Sequence, residues 1–204
     1  MKTSDCDNSG GNISAFTDQV IKSDVISQLI TLGTKAVTNS GNEAWSFAVI
    51  TDKSEIKRLS DESREYLLNN LEKYPYFQHN ENRLYSEKYN IFFNAPCLLL
   101  IYGDTNSRWN VYNCILAAGN IMEDATEHDL RTCWIGFAEH VCDTAEFKSK
   151  YKILDHYKLM CALSVGYPTV QLPPPCCNSG KILLKDSNLG INSGLSTYSK
   201  CDCL

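Results

Sequence analysis

Pro96-Cys97-Leu98-Leu99-Leu100-Ile101-Tyr102-Gly103 is the stretch whose reading decides the fold class. From Cys97 to Tyr102 it is an unbroken apolar run, far too short to cross a bilayer. A strand with one wet face would alternate polar and apolar residues. A continuous run reads instead as a strand buried on both faces. Other layers must cover it, and the sequence leaves open whether the domain has two layers or three.

Working towards the N-terminus, Trp45 to Ile50 (WSFAVI) is a second strand, and Thr51-Asp52-Lys53 opens a helix. That helix carries Ile56, Leu59, Tyr66, Leu67 and Leu71 and is expected to stop before Pro75. An earlier helix, capped by Ser23 or Asp24, is expected to run to about Val37. Val25, Ile26, Leu29, Ile30 and Gly33 share one of its faces. The turn residues Thr38 to Asn42 separate it from the WSFAVI strand. Residues 74–94 are aromatic and polar without period and read as a long surface excursion.

Towards the C-terminus, a helix is expected from Trp109 to about Glu127. Its buried side is read as Val111, Cys114, Ile115, Ala118, Met122 and Ala125, with Ala117, Ala118 and Gly119 small enough for close packing. Thr132 to Phe137 (TCWIGF) reads as a strand, residues 143–151 as a short helix, and Leu159 to Tyr167 as a last strand closed by Pro168. Strands separated by long helices indicate mixed α and β layers. The expected division is a flexible leader (1–15), one domain (16–168) and an extended or partly disordered arm (169–204) rich in Pro, Ser, Asn and Gly.

The composition narrows the function classes. Of 204 residues, 43% are hydrophobic and 21% charged, as in ordinary globular domains. A net charge of -5 argues against a nucleic-acid binder, which needs a basic face. The first twenty residues hold no apolar core of the kind a signal peptide needs, so the expectation is a cytoplasmic protein without a membrane partner. Of ten cysteines, Cys97, Cys114, Cys133 and Cys161 sit in apolar runs and read as core. Of the others, Cys176-Cys177 and Cys201-Asp202-Cys203 are grouped towards the C-terminus. No CxxC pair occurs, which weakens a zinc reading, although metal binding by the tail cysteines stays open. His79, His128, His140 and His156 show neither metal-ligand spacing nor a carboxylate at helical distance, and read as surface or helix-end residues. Glu123, Asp124, Glu127 and Asp129 read as a solvated helix face. The aromatic group from Tyr74 to Phe93 is assigned to packing against a partner subunit or roofing a cleft.

Five words in order carry a resemblance: Trp45 to Ile50 after a polar turn, Phe93-Asn94-Ala95-Pro96 before the central strand, the helix from Cys114 to Met122, Thr132 to Phe137, and Ala162 to Pro168. From Phe16 to Pro168 the chain resembles the nitroreductase family. The resemblance implies an α+β fold with a mixed, mainly antiparallel central sheet flanked by helices. It implies a homodimer with FMN in clefts at the subunit interface, NAD(P)H as co-substrate, and a nitroaromatic, quinone or similar small molecule as electron acceptor. The flavin N5 carries the chemistry, so no catalytic side chain is expected. The backbone of Ile135 and Gly136 is expected beside N5, with Trp134 as a neighbouring contact, while Thr38, Ser40 and Asn42 offer donors to the ring or ribityl chain. Cys133, next to this contact, reads as an inert buried thiol.

The chain departs from the family at the phosphate. Where the family has an Arg-Arg-Ser-x-Arg-like motif, this sequence has Gly10-Gly11-Asn12-Ile13-Ser14, and its first arginine is Arg58. Each charged hydrogen bond to a phosphate is worth roughly 1.5–3 kcal/mol, so losing two weakens binding by about a hundredfold or more. Asn12 and Ser14 remain as polar contacts, a glycine-rich nest can supply N–H groups, and Lys181, with Lys185 as the alternative, is the candidate basic residue after the last strand. Asn113 and Gly119 stand where the family has Asp and Gln. Two readings therefore stand side by side: an FMN oxidoreductase with an altered phosphate site, and a non-catalytic homodimer of the same fold with a binding or regulatory role.

Overall fold

The computed structural model describes residues 15–35, 44–74 and 81–170. Its centre is a four-stranded sheet in the order β1-β2-β4-β3, made of Trp45–Ile50 (β1), Cys97–Asp104 (β2), Arg131–Trp134 (β3) and Tyr157–Gly166 (β4). Every described pairing is antiparallel. Six helices accompany it: Ser23–Gly33 (α1), Lys53–Leu68 (α2), Glu81–Leu84 (α3), Asn110–Ala125 (α4), Glu139–Cys142 (α5) and Ala145–Tyr151 (α6). This is the expected mixed α+β class.

The central strand is buried from Cys97 to Gly103. Its alternate side chains leave opposite faces. Leu98, Leu100 and Tyr102 join a core closed by Ile56, Leu59 and Leu67 of α2. Cys97, Leu99 and Ile101 join another, closed by Leu29 of α1 and Cys114, Ala118 and Ile121 of α4. The domain is therefore three-layered. Truncating any one of the buried leucines of β2 to Ala would cost about 2–5 kcal/mol. Asp52 caps α2 as its position suggests, accepting from the N–H groups of Ser54 (2.8 Å) and Glu55 (3.1 Å).

Several expectations need correction. Neither Ser23 nor Asp24 caps α1; Lys22 holds that position without a side-chain bond. The helix ends at Gly33 and Thr34 and Lys35 form a turn, so the expected extension is not made; residues 36–37 lie outside the described residues. On α4 the buried residues are Asn110, Asn113, Cys114, Ala117, Ala118, Ile121 and Ala125, whereas Val111 and Ile115 are exposed. Periodicity could not choose the face because apolar residues line both sides of this helix. Strand β3 stops at Trp134, before the expected Phe137, because the chain tightens into a 3-10 turn over Gly136–Ala138. The excursion at 74–94 is anchored: Leu84, Ile91 and Phe92 are buried, and the Ile91 N–H donates to the buried Ser60 Oγ (2.8 Å). Cys142 also belongs to the core. His128 does face a carboxylate one turn back, with Nε2 3.6 Å from Asp124 Oδ2, an oxygen that is itself buried.

The leader and the arm lie almost wholly outside the described residues. At their described ends they run side by side: Phe16 bridges Pro168, and Ala15 O accepts from the Thr169 N–H (3.3 Å). Among the described residues no helix is long and apolar enough to cross a membrane.

Candidate active site

The end of β3 opens onto a cavity of about 360 Å³. It is lined by Trp134, Ile135, Gly136 and Phe137, by Leu159 to Ala162 of β4, and by Tyr74, Glu139 and His140. The register explains the opening. Ile101 pairs with Cys161 and Tyr102 with Leu159, so Met160 is an extra residue in β4 and bulges the strand at the cavity.

Ile135 N–H still donates to Ala162 O (2.9 Å), continuing the ladder one residue past β3. The turn then begins, and among the described residues the Gly136 N–H donates to no acceptor. A Cβ placed on Gly136 would meet nothing within 4 Å. Packing among the described residues therefore does not require glycine here. Trp134 beside it is 37% exposed, while Ile135 turns into the core.

Tyr74, Glu139 and His140 carry the polar chemistry of the lining. Tyr74 Oη lies 2.7 Å from His140 Nε2. The imidazole stacks on Tyr66 of α2 with centroids 4.1 Å apart and planes 18° apart. The Tyr74 ring meets Phe137 edge-on at 6.0 Å, which ties it to the turn that holds Gly136. Glu139 Oε1 lies 3.7 Å from the same Nε2, and the Glu139 side chain is 58% exposed. Both thiols near the cavity are kept protonated by burial, which pushes Cys133 up to about 11 and raises Cys161 as well. Neither is a nucleophile at neutral pH.

Of the residues singled out from sequence, Trp134, Ile135 and Gly136 come together in this cavity wall. Asn12, Ser14, Thr38, Ser40, Asn42 and Lys181 lie outside the described residues. Sequence reasoning missed His140, Glu139 and the Met160 bulge. Tyr74 and His140 are 66 positions apart, so no local spacing marks them as a pair. The only available signal was Tyr74's place in the aromatic stretch.

The sequence model of the Nitroreductase family matches residues 13–167, well over half of the 204. The chain belongs to this family. A search of curated proteins returns no match. Among solved structures, it is similar to a nitroreductase with bound FMN from Bacteroides fragilis, with 20% identity and a TM-score of 0.72 over 86% of this chain and 94% of that one. A nitroreductase with bound FMN from Desulfitobacterium hafniense gives 18%, 0.72, 86% and 93% in the same order. An oxidized iodotyrosine deiodinase bound to FMN and 3-iodo-L-tyrosine gives 17%, 0.66, 86% and 94%. At these identities the likeness speaks for the nitroreductase fold, and its bearers differ in what they act on.

Proposed function

We propose that the protein is an FMN-dependent oxidoreductase that takes hydride from NAD(P)H and passes it to a quinone, nitroaromatic or similar small planar acceptor. The carrying observation is Gly136: an N–H with no acceptor among the described residues, and no described atom within 4 Å of where a Cβ would stand. A flat heterocycle with a hydrogen-bond acceptor on its edge fits that wall. Bound there, the flavin supplies reversible hydride chemistry, and the protein supplies position and electrostatics. In this reading Gly136 N–H orients the ring edge, Trp134 flanks it, and the buried Ile135 and Leu159 keep water from one side. Thr38, Ser40 and Asn42 complete the ring and ribityl contacts.

For the phosphate we assign the sheet edge where Phe16 meets Pro168, with Asn12, Ser14 and Lys181 as contacts. Arg131 faces Gly166 across the β3–β4 pair at that edge and supplies part of the charge that the leader lacks. Its Nη1 donates to Leu130 O (2.8 Å), and among the described residues it has no carboxylate partner. Arg131→Gln should weaken FMN but leave riboflavin, which has no phosphate, unchanged.

A homodimer is part of the same proposal. Trp109, Val111, Tyr112, Ile115 and Leu116 of the α4 region are 43–62% exposed, an apolar face that a second copy would cover. Leu116→Asp should yield monomers in sedimentation. The cytosol is the proposed location, in keeping with the free thiols of Cys97, Cys114, Cys133, Cys142 and Cys161.

The deciding measurement is an absorption spectrum of the purified protein before and after adding FMN and then NAD(P)H. Flavin bands that bleach on reduction are the expected result. Colourless protein that takes up no FMN at tens of micromolar, on the order of a weak micromolar site, sinks the enzyme reading. It would leave the non-catalytic homodimer.

A further inference from the structure

Resting on that reading, we infer that Tyr74 and His140 form a proton relay that serves the electron acceptor, and that they select acceptors with an oxygen to protonate. The pair and Gly136 line one cavity, so an acceptor seated in it comes within reach of the Tyr74 hydroxyl. Tyr74 is fixed by its contact with Phe137, His140 by its stack on Tyr66. In the proposed state, His140 Nε2–H donates to Tyr74 Oη, which directs the phenolic hydrogen to the ligand. Glu139, within ion-pair distance of Nε2 and largely in solvent, links the imidazole to bulk water.

Quinone reduction shows the balance. One quinone oxygen gains the hydride, with its electron pair, from the reduced flavin. The other gains the proton of Tyr74 Oη, so the Tyr74 O–H bond breaks as the new O–H bond forms. His140, doubly protonated at the start, then restores Tyr74 with its Nε2 proton and is left as neutral imidazole, which regains that proton from solvent by way of Glu139. Hydroquinone leaves, and the protein ends as it began. Tyr74 is the catalytic residue here because it touches the acceptor; His140 is a positioning residue that acts through it.

The test compares two acceptors on FMN-loaded protein reduced with NAD(P)H. 1,4-Benzoquinone needs the proton, whereas ferricyanide takes single electrons and no proton. Tyr74→Phe and His140→Gln should slow benzoquinone about a hundredfold, the scale of general acid catalysis, with ferricyanide unchanged. The wild-type benzoquinone rate should fall in D2O, and that of Tyr74→Phe should not. Equal benzoquinone rates in wild type and Tyr74→Phe overturn the relay, as does an equal loss with both acceptors. A wild-type protein that fails with ferricyanide sinks the flavin reading instead. Binding of 4-nitrophenol, read by tryptophan fluorescence, probes the donor without turnover. Affinity about fivefold to tenfold weaker in Tyr74→Phe is expected for one lost hydrogen bond, and unchanged affinity overturns the proposal.

Discussion

At Gly166 an added Cβ would lie 2.7 Å from Pro96 Cδ and 2.8 Å from Phe16 Cδ1, whereas at Gly136, at the opposite end of the β3–β4 pair, it would meet nothing within 4 Å. Both positions belong to the words that carry the family resemblance, and in the sequence they look alike. Gly166 is held by the fold: a proline ring and an aromatic ring close over its backbone and neither can swing aside. At Gly136 no described atom would touch an added Cβ. A glycine that packing among the described residues does not need, with an N–H that meets no described acceptor at a cavity wall, is where the proposed FMN would lie.

The largest effect should separate the two directly. Gly166→Ala overpacks the junction of Phe16, Pro96 and β4 and should cost about 2–3 kcal/mol in urea unfolding. A loss below about 0.5 kcal/mol would mean that the junction yields freely. Gly136→Ala should leave unfolding within about 0.5 kcal/mol of wild type while weakening FMN about tenfold or more, roughly one lost hydrogen bond plus a displaced ring. Unchanged FMN affinity would break the assignment of that wall.

Glu55→Gln supplies a control that lowers stability without touching either glycine. Arg58, then Lys150 and Tyr151, hold the Glu55 carboxyl down to about 2 from its ordinary 4.5. A depressed carboxylate stabilises the fold fully above its unfolded value. That contribution is lost as pH falls from about 4.5 towards about 2, because the unfolded chain takes up the proton first. Arg58 and Lys150 are substantially exposed, so the loss in Glu55→Gln should be about 1 kcal/mol at pH 7. It should vanish near pH 2, where wild type and variant should unfold alike. The smallest effect is at Gly119, whose Cβ would also meet nothing within 4 Å, on the exposed side of α4. Gly119→Ala should stabilise an isolated protomer by about 0.5–1 kcal/mol through helix propensity. A matching gain in the assembled protein would mean that no second copy approaches that face.

Much of the fold was legible because burial writes itself into local composition. The run Cys97–Tyr102 announced a strand covered on both sides, and Asp52 announced the start of α2 through the hydrogen bonds its side chain can make. The face of α4 was not legible. Val111 and Ile115 are as apolar as Cys114 and Ala118, and only the approach of α1, with Gly33 against Ile121, decides which side is inside. The site was half legible. Trp134, Ile135 and Gly136 are consecutive and form a word, while Tyr74, Glu139 and His140 reach the cavity from turns and helices far apart in the chain.

The sequence by itself determined the family, the four strands and the helices α1, α2, α4 and α6 to within several residues, and the glycine at the cavity wall, while α3 and α5 were not foreseen. These follow from short-range chemistry: periodicity, capping and turn preference act over a few neighbours. Tertiary structure alone decided which face of α4 is buried, that residues 84–92 anchor the excursion, that Met160 bulges at the cavity, and that an imidazole and a phenol 66 positions apart come within 2.7 Å. Those are outcomes of competition between distant surfaces for the same neighbours, and no window of sequence contains both competitors.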